Sequence, residues 1–198
     1  MFDKILKFEK ELADFCGAPY AIMTDCCTHA IELCLRHDQI RALKMTPYTY
    51  ISIPMLMHKL GIHYVYKDET EQTWAGEYDF MYTRIWDSAR RLEPDMYQSG
   101  KMQCLSFGYD KPLNIGRGGA ILLDDRKAYD KIIRMRYDGR DLTVSPWIDQ
   151  KKFVVGYHYK PTIEEAVLGS KLLKKLKKDC PSVKKVAYPD LRTIKILE

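Results

Sequence analysis

Lys111 lies in the stretch Ser106-Phe107-Gly108-Tyr109-Asp110-Lys111-Pro112-Leu113-Asn114-Ile115-Gly116-Arg117-Gly118-Gly119, just after the apolar run Gln103 to Phe107 and ahead of a cluster of glycines. A lysine there is displayed on a short loop, and the glycines let backbone pass close to a ligand. Its amine forms Schiff bases with carbonyl compounds when burial or cationic neighbours lower its pKa. The same residue also reads as an ordinary surface charge. Local sequence leaves both readings open.

Three further sets stand where an α/β sheet gathers ligands, just beyond the carboxyl ends of apolar strands. Cys26-Cys27-Thr28 opens a helical pattern after Tyr20 to Thr24, so the free N–H groups of the first turn and the Thr28 hydroxyl would suit a phosphate. Asp25 or Thr28 could instead simply cap that helix. Asp87 follows the apolar run Phe80 to Trp86 and precedes Ser88-Ala89-Arg90-Arg91; it could start a helix, pair with an arginine or hold a positively charged ring nitrogen. Tyr50 lies beyond the turn at Pro47.

The elements that position these residues follow from periodicity. Ile5, Phe8, Leu12 and Phe15 recur at helical spacing before Gly17, a C-terminal cap. Tyr20 to Thr24 predicts a strand, Thr28 to His37 a helix with Ile31, Cys34 and Leu35 inward, and Ile51 to Leu60 another helix. His63 to Tyr66, Phe80 to Trp86, Gln103 to Phe107 and Ala120 to Leu123 predict strands, and Arg126 to Arg136 a helix. A polar loop runs from Asp138 to Gln150. Thr162 and Glu165 have the spacing of a capping box ahead of a helix that buries Ile163, Ala166, Val167 and Leu173, and Thr193 to Leu197 reads as a short strand. Helices alternating with short apolar strands define an α/β domain on a mostly parallel sheet.

Ser-Phe, three residues, Lys and then Gly-x-Gly-Gly, filled here by Ser106, Lys111, Gly116, Gly118 and Gly119, resembles the lysine segment of the DegT/StrS sugar aminotransferases, which depend on pyridoxal 5'-phosphate (PLP). Other pieces follow in the family's order. Phe8-Glu9 to Gly17 is similar to its opening helix, and Thr24 to Ala30 to its Ser-Gly-Thr phosphate turn. Pro47 to Tyr50 resembles the segment carrying the ring-stacking aromatic, Asp87-Ser88-Ala89 the Asp-Ala-Ala element, and Gly156-Tyr157-His158-Tyr159-Lys160 the Gly-Tyr-Asn-Tyr-Arg stretch. The resemblance covers nearly the whole chain.

It implies a three-layer α/β/α sandwich with a mostly parallel central sheet, the large domain of a fold-type I enzyme. Lys111 would hold PLP as a Schiff base and shuttle a proton, with Asp87 keeping the pyridine nitrogen protonated. Tyr50 would lie on the ring face. Cys26, Cys27, Thr28, Arg90 and Ser106 would complete the cofactor site, and His158 would reach the phosphate in a neighbouring subunit, implying a homodimer with shared sites. Cys26-Cys27 departs from Ser-Gly, Arg90 from Gln or His, and His158 and Lys160 from Asn and Arg. The implied activity moves an amino group from an amino acid, glutamate, onto a keto sugar attached to a nucleotide. The alternatives are a PLP-binding or scaffold protein without turnover, and a dehydratase, against which Lys111 speaks because that branch carries histidine instead. The resemblance also implies a single large domain over 1–198, with the C-terminal small domain absent or vestigial.

Bulk properties agree. A chain of 198 residues, 46% apolar, is long enough for one sizeable core. Its apolar runs stop short of the roughly 18 to 20 residues of a membrane span, and no signal peptide is evident, which predicts a soluble, cytoplasmic protein. The six cysteines lack paired spacing for zinc and read as reduced thiols. The net charge of +5 is concentrated in Lys171 to Lys185, which reads as the solvated face of a helix with Leu172, Leu173 and Leu176 opposite, rather than a nucleic-acid site.

Overall fold

The computed structural model describes residues 2–176 and 186–195. The first amphipathic pattern forms α1 (Asp3–Cys16), which buries Ile5, Phe8, Leu12 and Phe15 and stops at Gly17 in the left-handed conformation, φ 72°. It leads into β1 (Tyr20–Thr24), α2 (Cys27–His37), β2 (Ala42–Met45), α3 (Ser52–Leu60), β3 (His63–Tyr66), β4 (Tyr78–Asp79), β5 (Ile85–Asp87), β6 (Met102–Ser106), β7 (Gly119–Leu123), α4 (Arg126–Met135) and α5 (Ile163–Leu176). Short 3-10 turns occupy Trp147–Asp149 and Leu191–Thr193.

The main sheet has the order β1-β7-β6-β5-β4, and β2 pairs with β3 beside it. A bridge from Met81, just past β4, to Lys44 of β2 joins the two. β7 is antiparallel to both β1 and β6, β4 is antiparallel to β5, and β5–β6 and β2–β3 are parallel. Strand directions are therefore mostly common: β1, β2, β3, β5 and β6 run one way, while β4 and β7 oppose them. The expected parallel sheet holds for direction, but β7, wedged between β1 and β6, makes the centre locally antiparallel.

Alternation along the strands divides the core in two. Ala21 and Met23 of β1, Leu105 of β6, and Ala120 and Leu122 of β7 face α1 and α5. Ile22, Cys104, Ile121 and Leu123 face the opposite side, with Ile31 of α2, Ile53 of α3 and Ile132 of α4. This is the α/β/α sandwich, with a period-2 strand pattern feeding both layers.

Several expectations need correction. Phe80 to Trp86 is a hairpin rather than one strand: Thr83 N–H returns to the Phe80 carbonyl at 3.1 Å, and Tyr82 turns the chain with φ 70°. In α5, Val167 faces solvent, because the inner face is set by Gly169, where a Cβ would come within 2.7 Å of the Phe8 ring. The capping box is present, with Thr162 N–H to Glu165 at 2.8 Å and Glu165 N–H to Thr162 Oγ1 at 3.2 Å. Residues 191–193 form a 3-10 turn where a strand from Thr193 was expected, and the rest of that stretch, 196–198, lies outside the described residues. So does 177–185, the second half of the basic run. Among the described residues, no helix is long and apolar enough to cross a membrane.

Candidate active site

The Lys111 loop joins β6 to β7 and is closed on itself. Phe107 N–H bonds the Gly118 carbonyl and Ile115 N–H the Phe107 carbonyl, both at 3.0 Å, while Lys111 N–H bonds the Gly108 carbonyl at 3.1 Å. Gly116 (φ 91°) and Gly118 (φ 119°) adopt backbone conformations that other residues rarely take. Gly119 serves a different purpose: a Cβ there would lie 2.5 Å from the backbone nitrogen of Cys27. The lysine loop can therefore rest against the turn at the start of α2 only because position 119 has no side chain. Lys111 itself is no surface lysine. Its side chain is 14% exposed, with Nζ 3.6 Å from Asp110 Oδ1.

Asp87 ends β5 in a buried position. Tyr78 donates its hydroxyl to Asp87 Oδ2 at 2.7 Å, and the Ala89 N–H bonds Oδ1 at 2.9 Å. The Tyr78 oxygen also shares a hydrogen bond with Thr49 Oγ1. Burial pushes the Asp87 carboxyl above the usual carboxylate range, and those two bonds with the charges of Lys111 and Arg90 offset only part of the rise. Among the described residues no ion pair reaches Asp87. It is a buried acid with room for a cationic partner.

The turn after β1 is held by Thr24 Oγ1 donating to the Cys26 carbonyl at 2.9 Å. Neither Asp25 nor Thr28 caps α2; Cys26 does, its sulfur accepting the His29 N–H at 3.4 Å. Thr28 Oγ1 instead shares a hydrogen bond with Ser52 Oγ at 2.9 Å. Ser52 is the first residue of α3, so the amino ends of two helices converge, a setting that favours an anion. Arg117 clamps the turn to the lysine loop, reaching the Asp25 carboxylate at 3.0 Å and its carbonyl at 3.2 Å.

These pieces line one cavity of about 360 Å³. Cys26, Cys27, Thr28, Tyr50, Asp87, Arg90, Ser106 and Lys111 all border it. Tyr50 is 62% exposed. His158 does not border it: its side chain is 69% exposed and its Nδ1 lies 3.1 Å from the Asp138 carboxylate. Sequence reasoning missed Thr49, Trp74, Tyr78, Arg117 and Tyr188, which also line the cavity. Trp74 donates to the Tyr48 carbonyl at 3.1 Å and packs on Tyr78 and Tyr188, at 4.9 and 5.5 Å between ring centroids. Arg90, paired with Asp110, donates to the Tyr188 hydroxyl at 2.9 Å. No local pattern marks these residues, since their partners are distant in sequence.

The α/β fold matches that of PLP-dependent aminotransferase structures. The sequence model of the DegT/DnrJ/EryC1/StrS aminotransferase family matches residues 1–81 and 95–188, and the chain belongs to that family. Pyridoxal 5'-phosphate is the family's cofactor. Among solved structures, 3-amino-5-hydroxybenzoic acid synthase superposes with a TM-score of 0.71 at 20% identity, over 89% of this chain and 56% of that one. The sugar aminotransferase CalS13 from Micromonospora echinospora gives 0.72 at 14%, over 89% and 61%. PseC from Helicobacter pylori, an aminotransferase of pseudoaminic acid biosynthesis, gives 0.70 at 18%, over 89% and 58%. At these identities the likeness establishes the fold. The chain spans 56% to 61% of the lengths of these three proteins. No curated protein matches it in sequence.

Proposed function

We propose that the chain is a PLP-dependent sugar aminotransferase, its large-domain unit 1–198 holding the cofactor in the cavity bordered by Lys111. The observation that carries this reading is the buried Asp87 carboxyl, without an ion-pair partner among the described residues, sharing a cavity with the nearly buried amine of Lys111. PLP is a cationic ring with an anionic tail and an aldehyde, and the cavity offers an acid, an anion site and an amine. The donor set therefore fits the group.

When bound, PLP supplies an electron sink for the pair released by C–H cleavage. Asp87 balances the charge of the ring nitrogen, and Tyr78 and the Ala89 N–H fix its orientation. Thr28, Ser106 and the first N–H groups of α2 hold the phosphate, with Cys26 and Cys27 forming the turn and Arg90 adding positive charge nearby. Tyr50 supplies an aromatic face at the mouth. Lys111 Nζ would hold the cofactor through its aldehyde and, once the amino donor has displaced it and left it a free amine, would move a proton at the substrate carbon. The amino donor is an amino acid, glutamate, and the acceptor a nucleotide-linked keto sugar. His158, which does not border its own cavity, serves the site of a second copy in a homodimer.

The test uses the purified full chain. Added PLP should give visible absorbance, and borohydride should fix a pyridoxyl group on the peptide carrying Lys111. Glutamate added before borohydride should abolish both. No label on Lys111 would overturn cofactor binding. A label that a panel of amino acids leaves untouched would establish a PLP-binding protein without turnover.

A further inference from the structure

Among the described residues three cations border the cavity: Arg90, Lys111 and Arg117. Arg117 is committed to the largely buried carboxylate of Asp25, as Arg91, the chain neighbour of Arg90, is to that of Glu77. Arg90 differs. Its side chain is 11% exposed, yet the anion it meets, Asp110 of the lysine loop, is 64% exposed.

The Asp110 carboxylate also reaches past Arg90. One oxygen accepts from Arg90 Nη2, and the other lies 3.6 Å from Lys111 Nζ. The gap between guanidinium and amine is therefore the width of one carboxyl group. On its other side Arg90 is held by a neutral wall, with Nε–H donating to the Tyr188 hydroxyl at 2.9 Å. Tyr188 is fixed by its own N–H to Gln72 Oε1 at 3.0 Å, by Trp74 at 5.5 Å between centroids, and by Leu191 N–H to the Pro47 carbonyl at 3.1 Å just beyond. Tyr188 thus sets the plane of the guanidinium, and the fork of terminal N–H groups that remains matches a carboxylate.

We propose that Arg90 binds the α-carboxylate of the amino acid donor, with Asp110 a displaceable stand-in for it. The inference rests on the aminotransferase reading of the cavity and names the donor's contact within it. The α-carboxylate sits on the carbon that bears the amino group. A donor whose α-carboxylate takes the place of Asp110 therefore brings that carbon beside Lys111 Nζ. The side-chain carboxylate of glutamate, attached two carbons further along, would hold the reacting carbon farther from Nζ. Displacement is cheap on the Asp110 side, since its carboxylate is already open to water and an exposed ion pair adds little stability. The Arg90 bond is the chief cause holding the Asp110 carboxyl below the usual carboxylate range, so Asp110 competes with the donor as an anion at neutral pH.

The full chain, with and without added PLP, is titrated with propionate and with neutral propanamide, and binding is followed by saturation-transfer NMR. Propionate should bind roughly tenfold more tightly to the Asp110→Asn protein than to the unaltered chain, the scale of one hydrogen bond to a charged group. Propanamide should not respond. Adding Arg90→Gln to Asp110→Asn should abolish the gain. A gain that survives Arg90→Gln would assign the carboxylate to Lys111 alone and overturn the proposal. Equal propionate affinity with and without Asp110→Asn would do the same, and this comparison holds even if the arginine variant fails to fold. With PLP bound, Arg90→Gln should raise the KM for alanine as much as for glutamate, because both carry the α-carboxylate; a rise for glutamate alone would move the contact to the side chain and sink the assignment. The two readings separate cleanly. A propionate response without a borohydride label on Lys111 would keep Arg90 as a carboxylate site and remove the aminotransferase reading, whereas a label without a propionate response would do the reverse.

Discussion

Tyr78 donates a 2.7 Å hydrogen bond to Asp87 across the β4–β5 hairpin, and the strand pairing sets Tyr78 directly opposite Asp87. A carboxyl that burial alone would neutralise is thus held in place by a fixed donor.

Asp87→Asn should separate stability from cofactor binding. The folded-state pKa of Asp87 is raised, so the folded chain binds the extra proton. Stability is then full below the unfolded value near ~3.9 and falls as pH rises toward the folded value. The cofactor-free variant should therefore melt at a higher temperature than the unaltered chain at pH 7, with the gap closing at about pH 4. At pH 7 it should lose PLP absorbance. Calorimetry and titration at both pH values check this; a lower melting temperature at pH 7 would count against the assignment. Tyr78→Phe, which leaves the acid short of a donor, should cost about 1–3 kcal/mol.

Thr28→Val should raise the Kd for PLP roughly tenfold or more, the scale of one hydrogen bond to a charged group, and leave the Kd for pyridoxal, which lacks the phosphate, nearly unchanged. Equal losses for the two ligands would remove the phosphate from this turn.

Gly119→Ala should destabilise the chain by about 1–3 kcal/mol in urea unfolding, the usual cost of overpacking, because the new methyl meets the Cys27 backbone at 2.5 Å rather than a movable side chain. It should also weaken PLP binding. Gly61→Ala meets nothing within 4 Å and should lose only about 1 kcal/mol, from its left-handed φ of 63°.

Glu9 and Arg136 form a buried ion pair that also ties α1 and the end of α4 to β1, through Met23 N–H to Glu9 at 2.7 Å and Arg136 to the Met23 carbonyl at 2.6 Å. Arg136→Met alone should cost about 3–5 kcal/mol by leaving a buried carboxylate uncompensated. Glu9→Leu with Arg136→Met should cost clearly less than the sum of the single changes. Additive losses in a double-mutant cycle would show that the two do not interact.

The sequence exposes features whose cause is local. Gly17 ends α1, Thr162 and Glu165 box the start of α5, and β3 matches its alternating run residue for residue. The Lys111 loop was legible because Gly116 and Gly118 are demanded by the loop's own backbone. What escaped depends on partners elsewhere. β2 carries Ala42 and Lys44 and has no apolar run to announce it. β4 is two residues long and exists through its pairing with β5. The antiparallel sense of β7 leaves no trace in periodicity, which carries no direction. Tyr78, Thr49 and Tyr188 reach the cavity from separate segments, so only the folded chain shows them together, and the burial of Lys111, on which its chemistry rests, is likewise a property of the whole.

Trp74, wedged between Tyr78 and Tyr188 with its indole N–H spent on a backbone carbonyl, gives the cavity a built-in fluorophore. The other two indoles stand apart from the cavity wall: Trp86 lies under Lys101 and Trp147 is largely exposed. A conjugated ring entering the cavity should quench the emission of Trp74 selectively, so the chain can report its own occupancy as light, with no label and no turnover required.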